Sequence, residues 1–191
     1  EELSVTVKEP EVLFTDNFDD DTISDLWTDA EGNQVNTNAD DAVVEDGQWI
    51  PSGSWKEYYV GINNTEWTDY AVEADITFNG LQEGAEDYSA FGLITRANYN
   101  GSKQFYQFLI RSRQTVMELQ KCDGNYWTML KQMDTGKEPQ PGDVYRMRFE
   151  SIGNTSRMYL NGILFAEFED NSYMSGGIGI GYGKDNISID N

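Results

Sequence analysis

The stretch YAVEADITF, Tyr70–Phe78, decides the fold. Read with a period of two, it sets Tyr70, Val72, Ala74, Ile76 and Phe78 on one side and Ala71, Glu73, Asp75 and Thr77 on the other. VYRMRFESI repeats the pattern, with Tyr145, Met147 and Phe149 facing in and Arg146, Arg148 and Glu150 facing out. A Glu or Arg pointed into the middle of a sandwich is costly unless paired, so these polar rows belong on an outer sheet face. Working outward, AVVEDGQWI, SAFGLITRA, QFYQFLIRS, TVMELQKC, YWTMLKQM, SRMYLNGILFAEF and GGIGIGY read as further short strands. The breaks between them fall at Asp-Gly, Asn-Gly and Gly-Asn turns. No segment sustains a helical period over three turns. The expectation is one all-β domain, a sandwich of two antiparallel sheets.

Composition narrows the function. The formal net charge of −21 over 191 residues excludes nucleic acid as a natural partner and disfavours anionic membranes. No apolar run is long enough to span a bilayer. The sequence has no histidine, which removes histidine-based triads and most zinc or iron sites. Its one cysteine, Cys122, cannot form an internal disulfide and reads as a small core residue. Chemistry is left to carboxylates, amides, a few cations and an aromatic set that includes 5 Trp and 11 Tyr.

Residues 1–11 read as a linker or edge segment and 12–191 as the domain. The start at Glu1 suggests a processed or excised piece. Between Lys8 and Lys56 there is no Lys or Arg, and the acidic, turn-rich chain there reads as solvated loop or as a surface facing a cation.

The order of motifs carries a resemblance. LFTDNFDDDTISDLW, VVEDGQWI, WTDYAVEADITF, FGLITRANYNGSKQFYQFLI, YRMRFESIGNTSRMYLNGILFAEFED and SGGIGIGYGKDNISIDN follow one another over nearly the whole chain. This resembles the concanavalin A-like lectin/glucanase superfamily, specifically laminin-G-like and family 66-type carbohydrate-binding modules. The resemblance implies a jelly-roll β-sandwich and a structural calcium ion where the first and last strands meet. Its implied ligands are Asp16 or Asn17, the carbonyl of Gly47, and Asp190. It also implies a secreted, bacterial setting, a monomeric module within a larger multidomain protein, and a polysaccharide or oligosaccharide as partner.

A glycosidase needs two carboxyls flanking the bond. Family 16 glucanases carry Glu, Asp and Glu alternating on one strand, whereas here Glu73 and Asp75 are followed by Thr77, which cannot protonate a leaving group. A binder needs an exposed aromatic face and planar hydrogen-bonding groups. Glu73, Asp75, Gln107, Arg111, Arg148 and Arg96 are the outward polar candidates, and the resemblance places a recurrent Arg at the position of Arg96. Adjacent aromatics on a strand point to opposite faces, which nominates Trp55 and Tyr59 in SWKEYYV and Trp127 in GNYW, with Tyr182 as a further rim candidate. The expected function is a non-catalytic carbohydrate-binding module that holds an appended secreted glycoside hydrolase on its polysaccharide. The alternatives are a laminin-G-like adhesion domain that binds protein, and a family 16-like hydrolase.

Overall fold

The computed structural model describes residues 11–29, 32–35, 42–51, 58–85, 89–100 and 103–190, and no helix occurs among them. The hairpin β1 (Ala42–Glu45) and β2 (Gln48–Pro51) turns on Asp46 and Gly47, both at positive φ, as an Asp-Gly connection demands. β3 (Tyr58–Ile62), β4 (Tyr70–Leu81), β5 (Ala90–Asn98), β6 (Gln104–Arg111), β7 (Val116–Asp123) and β8 (Tyr126–Asp134) follow. The chain closes with β9 (Asp143–Ile152), β10 (Thr155–Leu160), β11 (Ile163–Glu169), β12 (Gly177–Gly183) and β13 (Asp185–Asp190).

Two antiparallel sheets result. One has seven strands in the order β1-β2-β13-β4-β9-β10-β11 and the other six in the order β3-β12-β5-β6-β7-β8. This is the expected jelly-roll sandwich. β4 and β9 alternate as read from sequence, with Val72, Ala74, Ile76 and Phe78 packed inward beside Tyr145, Met147 and Phe149. From the other sheet Phe91, Leu93, Phe108 and Ile110 meet them. Phe78 stacks on Phe91 at 5.7 Å, and Phe108 meets Phe149 edge-on at 6.1 Å. Burying an apolar side chain of this size contributes roughly 1.5–3 kcal/mol, so the facing rows hold the layers together.

The sheets differ on their outer sides. In the seven-stranded sheet the outer rows are charged and solvated. In the six-stranded sheet β5 is buried on both sides through Ala97, and β6 is buried from Phe105 to Ile110. A second small cluster of Ile94, Ala97, Phe105 and Cys122 lies there apart from the main core, which gives Cys122 the packing role expected of it.

Candidate functional site

The nominated polar residues divide between two opposite faces. Glu73 and Asp75 lie on the outer side of the seven-stranded sheet, where the β4–β9 register sets them across from Arg148 and Arg146. Arg146 grips Asp75 through Nε at 3.0 Å and Nη2 at 2.9 Å, and Arg148 pairs with both Glu73 and Glu150. Arg157 continues the row to Glu167. This is a lattice of partly exposed ion pairs, each contributing about 0–1 kcal/mol. The strand that decides the fold therefore spends its two carboxylates on arginines.

Arg96 is not on an outer face. It is 1% exposed, and its φ of +55° falls where the β5–β6 register shifts between Thr95 and Asn98. That bulge turns the side chain away from the face. Its Nη2 donates to the Gly153 carbonyl at 3.1 Å and lies 3.8 Å from Asp69, while the guanidinium sits 5.9 Å from the centre of the Tyr70 ring. Tyr182 also corrects the sequence reading. It is 4% exposed on the core side of β12, in phase with Ile178 and Ile180. Trp55 lies outside the described residues, as does the side chain of Tyr59, whose backbone pairs opposite Gly181.

Gln107, Arg111 and Trp127 do come together, on the outer side of the six-stranded sheet. Two residues that sequence reasoning missed join them. β7 supplies Glu118 and Gln120 in phase with each other, while Met117 and Leu119 point to the core. Glu118 Oε2 accepts from Arg111 Nε at 2.9 Å and Nη2 at 2.6 Å, and from Gln120 Nε2 at 2.6 Å. Its Oε1 accepts from Gln132 Nε2 on β8 at 2.9 Å. Gln107 Nε2 donates to Gln120 Oε1 at 2.7 Å. Gln107 Oε1 is buried and has no partner.

The row thus runs from a solvent-free end at Gln107 to exposed Gln132 on the edge strand. Trp127 and Met129 stand exposed on the same strand, and Tyr126 beside them is more exposed still. The Trp127 ring packs edge-on against Phe105 at 5.6 Å, and Phe105 in turn against Tyr99 at 6.1 Å. An aromatic flank beside planar amides and a guanidinium is chemistry that suits a polyhydroxylated ligand.

The residues nominated for calcium lie in the loop before β1, at the β1–β2 turn and at the end of β13. Asp16 Oδ2 accepts from the Ser24 N–H at 2.8 Å and from Trp27 Nε1 at 3.0 Å, which ties the loop together. The Asn17 amide donates to Asp19. Asp19, rather than Asp16, lies against the Gly47 turn, and Asp190 sits across the ladder from Asp75. Among the described residues no three Asp, Glu, His or Cys side chains gather to hold a metal. Thermal melting decides whether an ion sits there: calcium and magnesium at equal ionic strength raise the midpoint alike if they only screen the −21 charge. A calcium-specific rise reversed by EDTA would instead place an ion on Asp16 or Asn17, the Gly47 carbonyl and Asp190.

Residues 13–191 match the 3-keto-alpha-glucoside-1,2-lyase-like domain. The chain belongs to that family. No curated protein sequence matches it. Among solved structures, this chain is similar to the carbohydrate-binding module CBM66 from Bacillus subtilis, with a TM-score of 0.68 at 14% identity over 87% of this chain and 92% of that one. It is similar also to the Bacillus licheniformis β-glucanase, with a TM-score of 0.60 at 11% identity over 91% and 95% of the two chains. A structure described as a native glycosidic hydrolase matches at 0.62 and 11% identity over 93% and 92%. At such identities the likeness establishes the concanavalin A-like fold, which hosts binders and enzymes alike.

Proposed function

We propose that this domain binds carbohydrate, without cleaving it, on the outer face of its six-stranded sheet. The observation that carries the reading is the bare, buried Gln107 Oε1 at the end of a satisfied hydrogen-bond row. A buried acceptor without a donor costs about 1–3 kcal/mol; with Gln107 only 3% exposed, a sugar hydroxyl recovers that cost by displacing what covers the amide. Trp127 supplies the apolar surface on which a sugar ring stacks. The name of the CBM66 structure agrees with a binding role. Glu118, with both oxygens already accepting, is a poor acid or base, and Glu73 and Asp75 are each held by an arginine. The proposal extends to the biological setting: a secreted module that holds an appended glycoside hydrolase on its polysaccharide, where tethering makes a modest affinity effective.

The test is affinity electrophoresis through gels of mixed-linkage β-glucan, galactomannan and xylan, with sugar release assayed in parallel. At least one gel should retard the protein with no sugar released. Trp127→Ala should weaken that retardation about tenfold, or ~1.4 kcal/mol, while the protein stays folded. Retention that survives both Trp127→Ala and Gln107→Ala would move the site elsewhere. Sugar release by the wild type would favour the second reading, an enzyme, which the lyase-like family description keeps in view.

A further inference from the structure

We infer that Glu118 sets the hydrogen-bond polarity of this face, so that the site takes a neutral sugar through a donated hydroxyl and discriminates against a group that can only accept. The inference rests on the proposed function for its ligand but on geometry for its mechanism. A carboxylate has no proton to give, so the amide end of Gln120 must face Glu118, as it does at 2.6 Å. The carbonyl end of Gln120 then faces Gln107. Two carbonyl oxygens cannot face each other favourably, so Gln107 turns its amide nitrogen toward Gln120, at 2.7 Å. The last group in the relay is Gln107 Oε1, an acceptor with nothing to accept.

Neighbouring strands do not complete it. The register sets Ile94 across from Gln107 on one side and Met129 across from Gln120 on the other, both apolar. Arg111 and Gln132 are already spent on Glu118, which anchors the relay from both flanks. A sugar O–H donates to Gln107 Oε1, whereas a uronate carboxylate or an ether oxygen there meets oxygen with oxygen. A site built to bond one hydroxyl rejects the analogue lacking it strongly, because the buried acceptor stays unpaired. Glu118 touches no ligand in this scheme and acts as a positioning residue through Gln120.

Glu118→Gln releases the polarity, because its amide can donate to Gln120 and let both glutamines turn over. Gln120→Met cuts the relay without touching the Arg111–Glu118 pair, which guards against a folding defect in the first variant. Each is compared with the wild type in gels of the three neutral polysaccharides and of polygalacturonate and alginate. Because the net charge alone disfavours polyanions, Asp75→Asn on the opposite sheet serves as the control for charge loss. Preference for neutral over uronate chains should narrow at least about tenfold in both relay variants and hold in the control. Independently of any ligand, the Gln107 side-chain amide should exchange its protons slowly in the wild type and at least about tenfold faster in both variants, read by ¹⁵N NMR. Unchanged amide exchange in both variants overturns the inference even if sugars bind. Retention of no polysaccharide by the wild type, with exchange behaving as expected, instead removes the proposed function and leaves the relay standing.

Discussion

Asp185→Asn should remove most of a pH dependence of stability that the wild type shows between about pH 4 and pH 7. Asp185 opens β13 at the seam between the sheets, fully buried, with the Ser112 hydroxyl and the Gly183 and Ala90 backbone close by but no well-formed hydrogen bond to either carboxyl oxygen. Burial pushes its pKa from an ordinary 3.8 up to about 7, against the weaker pull of the Ser112 hydroxyl, the Gly183 and Ala90 backbone and the Arg111 charge. The folded state therefore keeps a proton that the unfolded chain gives up near pH 4. Stability from the protonated group is complete below the unfolded value and falls as pH rises toward the folded one. A difference of this size is worth on the order of 4 kcal/mol between the two ends of the window. At pH 8 the wild type must either hold a buried charge or open the seam, and Asn at this position need do neither. Urea denaturation at about pH 4.5 and pH 8 should show the wild type losing stability that the variant keeps. Parallel curves for the two proteins would mean that Asp185 is solvated or paired in solution.

The two sheets were not equally legible from sequence, and the reason is solvent. β4 and β9 have water on one side, so their polar residues fall out of phase with the core and the strand pattern reads directly. β5 and β6 are buried on both sides, so alternation there does not tell core from site. Glu118 and Gln120 carried a faint signal, since in TVMELQKC they alternate with Met117 and Leu119. What was hidden was the pairing that sets Gln107 across from Gln120. Arg96 was misplaced because a bulge with φ of +55° breaks the period at that residue. Tyr182 was readable after all: glycines take the outer positions of GGIGIGY, so Ile178, Ile180 and Tyr182 share the inner one. Glu73 and Asp75 were placed correctly on a polar face, but which outer face they occupied depended on strand order across the sheet.

Gly177→Ala should be among the most damaging single changes, costing about 3–5 kcal/mol or preventing folding altogether. A Cβ at this position would lie 1.6 Å from the Ile62 carbonyl oxygen, 2.8 Å from its carbon and 2.9 Å from the Asn64 nitrogen. All three are backbone atoms, so no side chain can swing aside to relieve the clash. β12 would have to lift from β3 exactly where Ile178 pairs with Ile62, or tilt away from β5. Either movement pulls on the Tyr70 hydroxyl, which lies 2.7 Å from the Gly177 carbonyl and 2.6 Å from the Arg96 N–H that donates to it. That hydroxyl is a tie between the strand ends of both sheets, so the damage spreads beyond one ladder. Gly136→Ala is the control, since φ there is +79° but no atom lies within 4 Å of the added carbon. It should cost only about 1 kcal/mol, the ordinary penalty for leaving glycine's conformational range. Urea midpoints separate the two causes: equal losses would show that crowding at Gly177 is relaxed cheaply, and a gap of several kcal/mol would show that the close approach of β12 and β3 is what glycine provides. The same row of glycines leaves room for Tyr99, whose ring lies over Gly61 and whose hydroxyl lies 3.3 Å from the place of a Cβ on Gly179. The sequence GGIGIGY thus gives closeness on one side of a strand and a core on the other, and the aromatic row of Tyr99, Phe105 and Trp127 is built beside that closeness.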